Sequence, residues 1–233
     1  MFVFIFYYPN MLHEFTKLTC DELLFLKPSL KNLYKEIPKT MYYLGNLPFT
    51  LSKPIVAIVG RRKASILECS IARYLSKLFC SNGYTVVSGF MYGIDEHAHR
   101  GCLEYTYPSI AVLGYGANYL PSVTVSNLYS TYIKQLHTSC FLTQYEAGFS
   151  GRPWSFSKRN KLVALLASKV VVVAAGSASG ALITVKNALN FKRTVYYVKN
   201  PNDMFGTGVS KLKNTPGVYP LDLSSIFTAL KEI

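Results

Sequence analysis

Short apolar runs that end in glycine-rich segments, one of them strongly basic, are the feature of this chain most able to support chemistry. Four such runs occur between residues 55 and 180, and the first is followed by three consecutive cations. Glycine lets backbone N–H groups approach a ligand closely, and a helix that begins after the glycine favours an anion at its N-terminus. The sequence therefore predicts a phosphate-binding rim, although each loop taken singly is also compatible with ordinary turn glycines. The residues expected in this rim are Gly60, Arg61, Arg62, Lys63, Ser88, Gly89, Gly93, Gly114, Gly116, Ser179 and Gly180.

A second candidate segment, residues 151–161, interleaves aromatic side chains with cations and holds the only tryptophan of the chain, Trp154. Bases of a single strand stack on aromatic rings while cations follow the phosphates. Two alternatives stay open: Trp154 and Phe156 are core anchors, and Arg159 lies in a buried ion pair because it is so close to Phe156. The residues expected to contact a strand are Arg152, Phe156, Lys158, Arg159, Asn160 and Lys161, with Asn160 orienting the segment through bonds to nearby backbone.

Patterns for metal binding and catalysis are weak. Asp95, His97 and His99 lie close in sequence, but residues two apart in a helix face different directions. We expect Asp95 near a helix N-terminus and at least one histidine buried or hydrogen-bonded. Glu146 is one carboxylate placed for acid/base work, and the dinucleotide, P-loop and nucleophile-elbow motifs are absent from the sequence. The sequence therefore predicts no metal, no cofactor and no catalytic activity.

The composition indicates a globular protein with an anionic partner. Half of the residues are hydrophobic, only 16% are charged, and the net charge is +13. Five scattered cysteines without a CxxC pair favour reduced thiols in a cytoplasmic protein. No apolar run reaches the roughly 18 residues of a membrane span, so no membrane partner is expected.

From Lys53 onward, β-branched runs alternate with segments of helical periodicity, and the runs are apolar on both faces. This alternation predicts an α/β fold with a doubly wound, mostly parallel, Rossmann-like sheet. The predicted strands are Ile55–Val59, Thr85–Ser88, Ile110–Leu113, Phe141–Tyr145, Val170–Ala174 and Thr194–Val198, and the predicted helices are Ile66–Cys80, Asp95–Glu104, Asn127–His137, Arg159–Ser168 and Leu182–Phe191.

The chain divides at about residue 50. Residues 1–50 predict a short N-terminal helical appendage, with a capping box at Thr19 and Glu22, and residues 51–233 are expected to form a Rossmann-like domain that binds DNA. The apolar stretch Met1–Tyr8 is expected to be a strand or an artefact of the start site, since Met11 is a second candidate start. If the strand order reverses near the first strand of the domain, Arg62 and the cations at 158, 159 and 161 border one groove.

Several blocks in fixed order carry a family resemblance. They are Val56–Arg62, Val86–Gly89, Gly93–Asp95, Ala98–Gly101, Ala111–Gly114, Arg152–Phe156 with Arg159-Asn160, and Ser179–Thr184. Over about Met41 to Pro216 the chain resembles the DNA-processing protein A family (DprA/Smf). The resemblance implies a cytoplasmic, homodimeric protein that binds single-stranded DNA, protects incoming DNA in natural transformation and loads the RecA recombinase onto it. The family is not known for enzymatic activity.

The resemblance also implies a role for Arg62, because the arginine of the family's Gly-x-Arg loop contacts a phosphate. Arg61 stands where the family usually has Ser or Thr, and a lysine that the family often carries is not evident in Leu120–Asn127. A core without the family's C-terminal winged helix is expected. Two alternatives of the same fold superfamily stay open: a nucleotide-binding sensor, and a phosphoribohydrolase of nucleoside monophosphates. The hydrolase's Pro-Gly-Gly-x-Gly-Thr loop is replaced here by Gly176–Gly180.

Overall fold

The computed structural model describes residues 14–119, 123–199 and 206–222, with only the backbone for residues 123–126. The predicted strand Met1–Tyr8 and the choice between Met1 and Met11 lie outside these residues. The strands are β1 (Thr16–Thr19), β2 (Thr40–Gly45), β3 (Ile55–Val59), β4 (Thr85–Ser88), β5 (Ser109–Leu113), β6 (Cys140–Thr143), β7 (Lys169–Val172), β8 (Thr194–Val198) and β9 (Val218–Leu221). The helices are α1 (Cys20–Leu26), a 3-10 helix (Pro28–Glu36), α2 (Leu47–Ser52), α3 (Ile66–Ser81), α4 (Ile94–Leu103), α5 (Val123–Ile133), α6 (Pro153–Leu166), α7 (Ala181–Asn190) and α8 (Thr207–Leu212).

One sheet connects all of these strands, in the order β1-β2-β6-β5-β4-β3-β7-β8-β9. The strands from β3 to β9 run parallel. The order reverses at β3, with β4, β5 and β6 on one side and β7, β8 and β9 on the other. This confirms the doubly wound, mostly parallel α/β fold. In such a sheet the ligand crevice lies beyond the carboxyl ends of the strands at the reversal, here β3 and β7.

The centre of the sheet is apolar because helices cover both of its faces. Every residue of β3 is buried, and so is every residue of β4 and β5. Helix α3 packs on α4, and α6 packs on α7. Right-handed crossovers place these two pairs on opposite faces, since the order reverses between them. The helices that follow strands, α3, α4 and α7, therefore begin at the carboxyl edge, and α6 also begins there before it descends to β7.

The N-terminal appendage contributes two strands that the sequence did not predict. β1 and β2 pair antiparallel, and β2 pairs antiparallel with β6 at the edge of the sheet. The predicted helix does form: Thr19 caps α1 in a capping box with Glu22. Leu23 and Leu30 of this region are buried in the main hydrophobic core. The division of the chain at residue 50 stays a prediction. Within the described residues, no helix has the length and apolarity needed to cross a bilayer.

Candidate nucleic-acid interface

The loop after β3 carries three adjacent cations, and the first of them is held by the protein itself. Arg61 Nε donates to Glu68 Oε2 at 2.9 Å, and the Glu68 side chain is only 1% exposed. The same carboxylate accepts from the Ser65 backbone N–H at 2.9 Å, which closes a capping box at the start of α3. Arg61 therefore fixes the loop to the helix that follows. Its predicted role as a phosphate contact stays a prediction that competes with this ion pair.

Arg62 is exposed and lies beside two aromatic rings. Its guanidinium carbon lies 5.5 Å from the ring centroid of Phe156 and 5.9 Å from that of Tyr92. Within the described residues it forms no ion pair, and neither does its exposed neighbour Lys63. A planar guanidinium that rests on aromatic rings keeps its N–H donors free for an oxyanion. Of the cations in this loop, Arg62 is the one best placed to take a phosphate.

The segment that carries Phe156 is helical, not a loop before a helix. Pro153 stands in the first turn of α6, and Ser155 Oγ donates to the carbonyl of Gly114 at 2.6 Å. The same hydroxyl accepts from the Arg152 backbone N–H at 2.9 Å. The prediction that this helix begins at Arg159 is therefore wrong. A proline at the first helical position with a capping serine two residues later is the sequence signal that could have found the true start.

Trp154 projects from the first turn of α6 and is 50% exposed. Tyr145 and Phe149 stack with ring centroids 4.6 Å apart, and Trp154 lies 5.7 Å from Phe149. We refer to Tyr145, Phe149 and Trp154 as the aromatic platform. Lys158 Nζ lies 5.0 Å from the Trp154 ring and is exposed. The alternative of a core anchor is wrong for Trp154, whereas Phe156 is half-buried against the smaller apolar cluster around Tyr115.

Arg159 lies in the buried ion pair that the sequence left open as an alternative. Its side chain is 3% exposed, and its Nη1 lies 3.5 Å from Asp95 Oδ2. A Cβ at Gly89 would fall 1.2 Å from that nitrogen, so Gly89 makes room for the guanidinium. Burial lowers the pKa of Arg159 and raises the pKa of Asp95, and each charge offsets part of the other's shift. Arg159 therefore holds α6 against α4 and does not face solvent as a groove residue.

The predicted structural role of the Asp95–His99 cluster is confirmed. His99 is fully buried and its Nδ1 lies 2.8 Å from Ser109 Oγ, while His97 Nδ1 lies 2.9 Å from the Gly93 carbonyl. Burial, with a smaller contribution from Arg159, lowers the pKa of His99 to about 3, so the ring is neutral at physiological pH. In the described part of the chain, no group of three His, Cys, Asp or Glu side chains is arranged to hold a metal ion.

The rim glycines have a packing role that needs no ligand. A Cβ at Gly93, where φ is +84°, would lie 2.3 Å from the Arg62 carbonyl oxygen, and one at Gly114 would lie 2.6 Å from the Phe156 ring. Protein atoms likewise fill the space beside the other predicted rim glycines of the first three loops, Gly60, Gly89 and Gly116. Close approach of the chain to itself therefore explains these glycines, and their contact with DNA stays a prediction.

The remaining rim residues differ in exposure. Ser88 is buried, and its hydroxyl donates to the Ile58 carbonyl at 2.6 Å, which ties β4 to β3. Arg152 is exposed at the start of α6. The stretch in which a family lysine was sought is Leu120–Asn127, and all of it except Asn127 lies outside the side chains that the structure describes.

Asn160 and Lys161 connect α6 to other elements. Asn160 Nδ2 donates to the Gly180 carbonyl at 3.0 Å, which confirms the predicted bond from this side chain to nearby backbone. Ser179 Oγ accepts from the N–H of Ala181 at the start of α7. Lys161 Nζ pairs with Glu36 Oε2 at 2.5 Å, on the side of the 3-10 helix. The expected single groove is thus corrected in two members, because Arg159 is buried and Lys161 pairs with Glu36 further along α6. Arg62 and Phe156 meet at the rim, and the place of Lys158 in the same groove stays a prediction.

The chain matches the family of DNA recombination-mediator protein A over residues 19–226. It is a member of this family. Among curated relatives, it is 34% identical to Protein Smf of Synechocystis sp. over 76% of this chain and 45% of the relative, and 32% identical to DNA processing protein DprA of Streptococcus pneumoniae over 72% of this chain and 58% of the relative. The chain spans about half the length of the curated relatives it matches.

Solved structures agree with this assignment. The X-ray structure of DprA from S. pneumoniae has a TM-score of 0.78 and 26% identity, over 92% of this chain and 74% of that one. A DprA structure from Helicobacter pylori, described for its single-stranded DNA binding mode, has a TM-score of 0.78 and 20% identity, over 95% of this chain and 97% of that one. The molybdenum cofactor binding protein of Rippkaea orientalis shares the fold alone, with a TM-score of 0.52 and 18% identity over 77% of this chain and 96% of that one. The family resemblance drawn from the sequence is confirmed.

Proposed function

We propose that this chain binds single-stranded DNA at the carboxyl edge of its sheet. The observation that carries the proposal is the exposed guanidinium of Arg62, unpaired within the described residues and flanked by the rings of Phe156 and Tyr92. The aromatic platform and Lys158 extend the same surface along the first turns of α6. The H. pylori relative, which has this fold, is described by its single-stranded DNA binding mode.

Arg62 and Lys63 take phosphates in this proposal, and the exposed rings of Trp154 and Tyr92 stack bases. Every base has a π-face, so stacking tolerates any sequence, and a strand whose bases are unpaired can reach the rings whereas a duplex cannot. Binding is therefore selective for single strands, nearly independent of sequence, and sensitive to salt.

Family membership supports a wider role, which is also part of this proposal. The chain acts as a cytoplasmic homodimer that protects incoming DNA in natural transformation and loads the RecA recombinase onto it. It does this as a binding protein without cofactor or catalysis. Residues 51–233 supply the DNA-binding domain, and β1 and β2 of the N-terminal appendage complete the edge of the sheet.

Fluorescence anisotropy with a labelled thymidine oligomer tests the proposal. Arg62→Ala removes one charge-assisted contact, worth about 1.5–3 kcal/mol, and is expected to weaken binding about 10- to 150-fold. Lys77→Ala is the matched control, because Lys77 is an exposed cation at the far end of α3, on the opposite edge of the sheet. Binding of the oligomer should also change the emission of Trp154, the only tryptophan.

Two results would contradict the proposal. One is an equal loss of affinity in Lys77→Ala and Arg62→Ala, which would mean that only the net charge matters. The other is tighter binding of a nucleoside monophosphate than of the oligomer, which would favour the sensor or the phosphoribohydrolase. Release of base from the monophosphate, lost in Glu146→Gln, would identify the hydrolase.

A further inference from the structure

A basic groove lies on the flank of the molecule, away from the rim, between the 3-10 helix, α6 and α7. Its volume is about 510 Å³. The side chains relevant to binding, which define the flank groove here, are Lys31, Asn32, Tyr34, Lys35, Lys161 and Asn190. We propose that the flank groove is a second subsite for single-stranded DNA, which takes a nucleotide of the same strand after it has left the rim. The inference rests on the proposed function and extends it.

The charge of the groove favours an anion. Glu36 is the carboxylate in its wall, and Lys161 neutralises it in the ion pair at 2.5 Å. Lys31 and Lys35 are exposed and make no ion pair within the described residues. The groove therefore presents two uncompensated ammonium groups, which are compact point charges suited to phosphate oxygens.

The groove also offers the groups that hold a base. The Tyr34 ring is 53% exposed and can accept a stacked base. The side-chain amides of Asn32 and Asn190 form no hydrogen bond with the described residues, so their donors and acceptors are free for a base edge. Asn187, by contrast, is occupied by a bond from its Nδ2 to the Ile183 carbonyl at 2.8 Å. Phosphate donors, a stacking ring and free amides together match a nucleotide.

Helix α6 joins the rim to the flank groove. Trp154, Lys158 and Lys161 are spaced four and three residues apart, so they follow one stripe of the helix surface. At 1.5 Å per residue the stripe spans about 10 Å between its two ends. A strand that stacks on Trp154 and passes Lys158 is led towards Lys161 and the two free lysines beyond it. This continuity favours DNA over an acidic peptide as the occupant.

The test compares oligomers of increasing length. Thymidine oligomers of about 4 to about 16 nucleotides cover the range of known single-domain sites. The double variant Lys31→Ala, Lys35→Ala is expected to bind the longest oligomers about tenfold more weakly, to lose about 1.4 from the magnitude of the salt slope, and to bind the shortest ones as the wild type does. Lys17→Ala with Lys77→Ala is the matched control, because both lysines are exposed and lie outside the groove.

The outcomes separate the two proposals. If Arg62→Ala weakens binding at every length and the groove variant changes none, the subsite is wrong and the rim stands. If neither variant affects any oligomer, the proposed function is wrong as well. A tetraglutamate peptide that binds the wild type more tightly than the long oligomers do, and loses affinity in the groove variant, would assign the groove to an acidic peptide. Circular dichroism spectra that match the wild type show that the variants fold.

Discussion

Two arginines lie beside the ring of Phe156, and they have opposite surroundings. Arg62 reaches the ring from the loop after β3, at 5.5 Å, and is exposed. Arg159 reaches it from within α6, at 6.0 Å, and is 3% exposed. One guanidinium is free for a ligand and the other is paired with Asp95. The comparison shows that burial and the presence of a carboxylate partner decide whether an arginine is available to bind a ligand or stabilises the fold. The residue type and the neighbouring ring are the same in both cases.

The chain contains the same contrast within one loop. Arg61 forms an ion pair with Glu68, whereas Arg62, the next residue, forms no ion pair within the described residues. The backbone of Arg62 passes Gly93 so closely that a Cβ there would meet its carbonyl oxygen at 2.3 Å. That close contact, together with the Arg61 ion pair, holds the loop in place while the Arg62 side chain projects over the rings. A ligand therefore meets a cation that is positioned in advance, which lowers the entropy lost on binding.

The largest effect is expected from Arg159→Met, which keeps the bulk of the side chain and removes its charge. Asp95 would be left as a buried carboxylate without its partner, and breaking such a pair costs about 3–5 kcal/mol. Urea unfolding followed by the fluorescence of Trp154 measures the loss. Adding Asp95→Asn should restore part of it, because the second charge is then gone. Wild-type stability for the single variant would show that the pair contributes nothing.

The second effect contrasts Arg61 with Arg62. Arg61→Ala leaves Glu68 buried without the two guanidinium N–H donors of Arg61 and should lower the free energy of unfolding by about 1–3 kcal/mol. Arg62→Ala should change it by less than about 0.5 kcal/mol, as for other exposed sites. Affinity for the oligomer should show the reverse order. If Arg61→Ala weakens binding as strongly as Arg62→Ala while leaving stability intact, Arg61 is a DNA contact after all.

The third effect is a pH dependence of stability that originates in His99, a buried side chain near Arg159. The pKa of His99 is about 3 in the folded chain and 6.5 when unperturbed. Below pH 6.5 His99 is protonated in the unfolded chain, whereas in the folded chain it stays neutral until the pH approaches 3. The free energy of unfolding is therefore highest above pH 6.5 and falls as the pH drops towards 3. The slope approaches about 1.4 kcal/mol per pH unit.

Unfolding measured between about pH 5 and pH 6.5 isolates His99 from most carboxylates. His99→Asn keeps a polar atom near Ser109 and removes the titration, so its stability should be flatter with pH than that of the wild type. Parallel curves for the two proteins would mean that another group causes the dependence.

The smallest effect concerns the exposed cations Arg62 and Lys158. Each phosphate contact adds about 0.7 to the magnitude of the slope of log affinity against log salt. Arg62→Ala and Lys158→Ala should each reduce the slope by that amount, and Lys77→Ala should leave it unchanged. An unaltered slope in Lys158→Ala would make that residue part of a solvated helix start.

The sequence predicted the parallel core well because β3 and β4 are runs buried on both faces and β8 is rich in β-branched and aromatic residues, and the bounds of all three strands were correct. It missed β1 because a four-residue edge strand such as Thr16–Thr19 carries little periodicity, and it missed β2 because the place of β2 in the sheet depends on β6, far along the chain. It placed the α6 start late because the local signal of Pro153 and Ser155 was overlooked, and because part of the cap, the bond from Ser155 to Gly114, comes from another loop.

Within the site, residue types indicated where the site lies but not which arginine faces solvent and which forms an ion pair within the protein. Arg61, Arg62 and Arg159 look alike in a sequence, and only the positions of Glu68 and Asp95 in space separate them. Lys161 was grouped with the rim because it is close in sequence to Lys158. One turn further along the same face of α6, Lys161 instead pairs with Glu36 of the 3-10 helix, which the sequence did not predict beside α6.

The antiparallel edge of the sheet has a consequence for the order in which the protein is made. β2 pairs with β6, and about 95 residues of chain separate Gly45 from Cys140. During synthesis at about 5–20 residues per second, β2 waits roughly 5–20 s before its partner exists. Until then the antiparallel pair of β1 and β2 has an unpaired edge, which is exposed to pairing with another nascent chain. Attachment of β1 and β2 to β6 is therefore expected to be a late and slow step in folding, since among the paired strands of the described sheet only β3 and β7 close a longer loop.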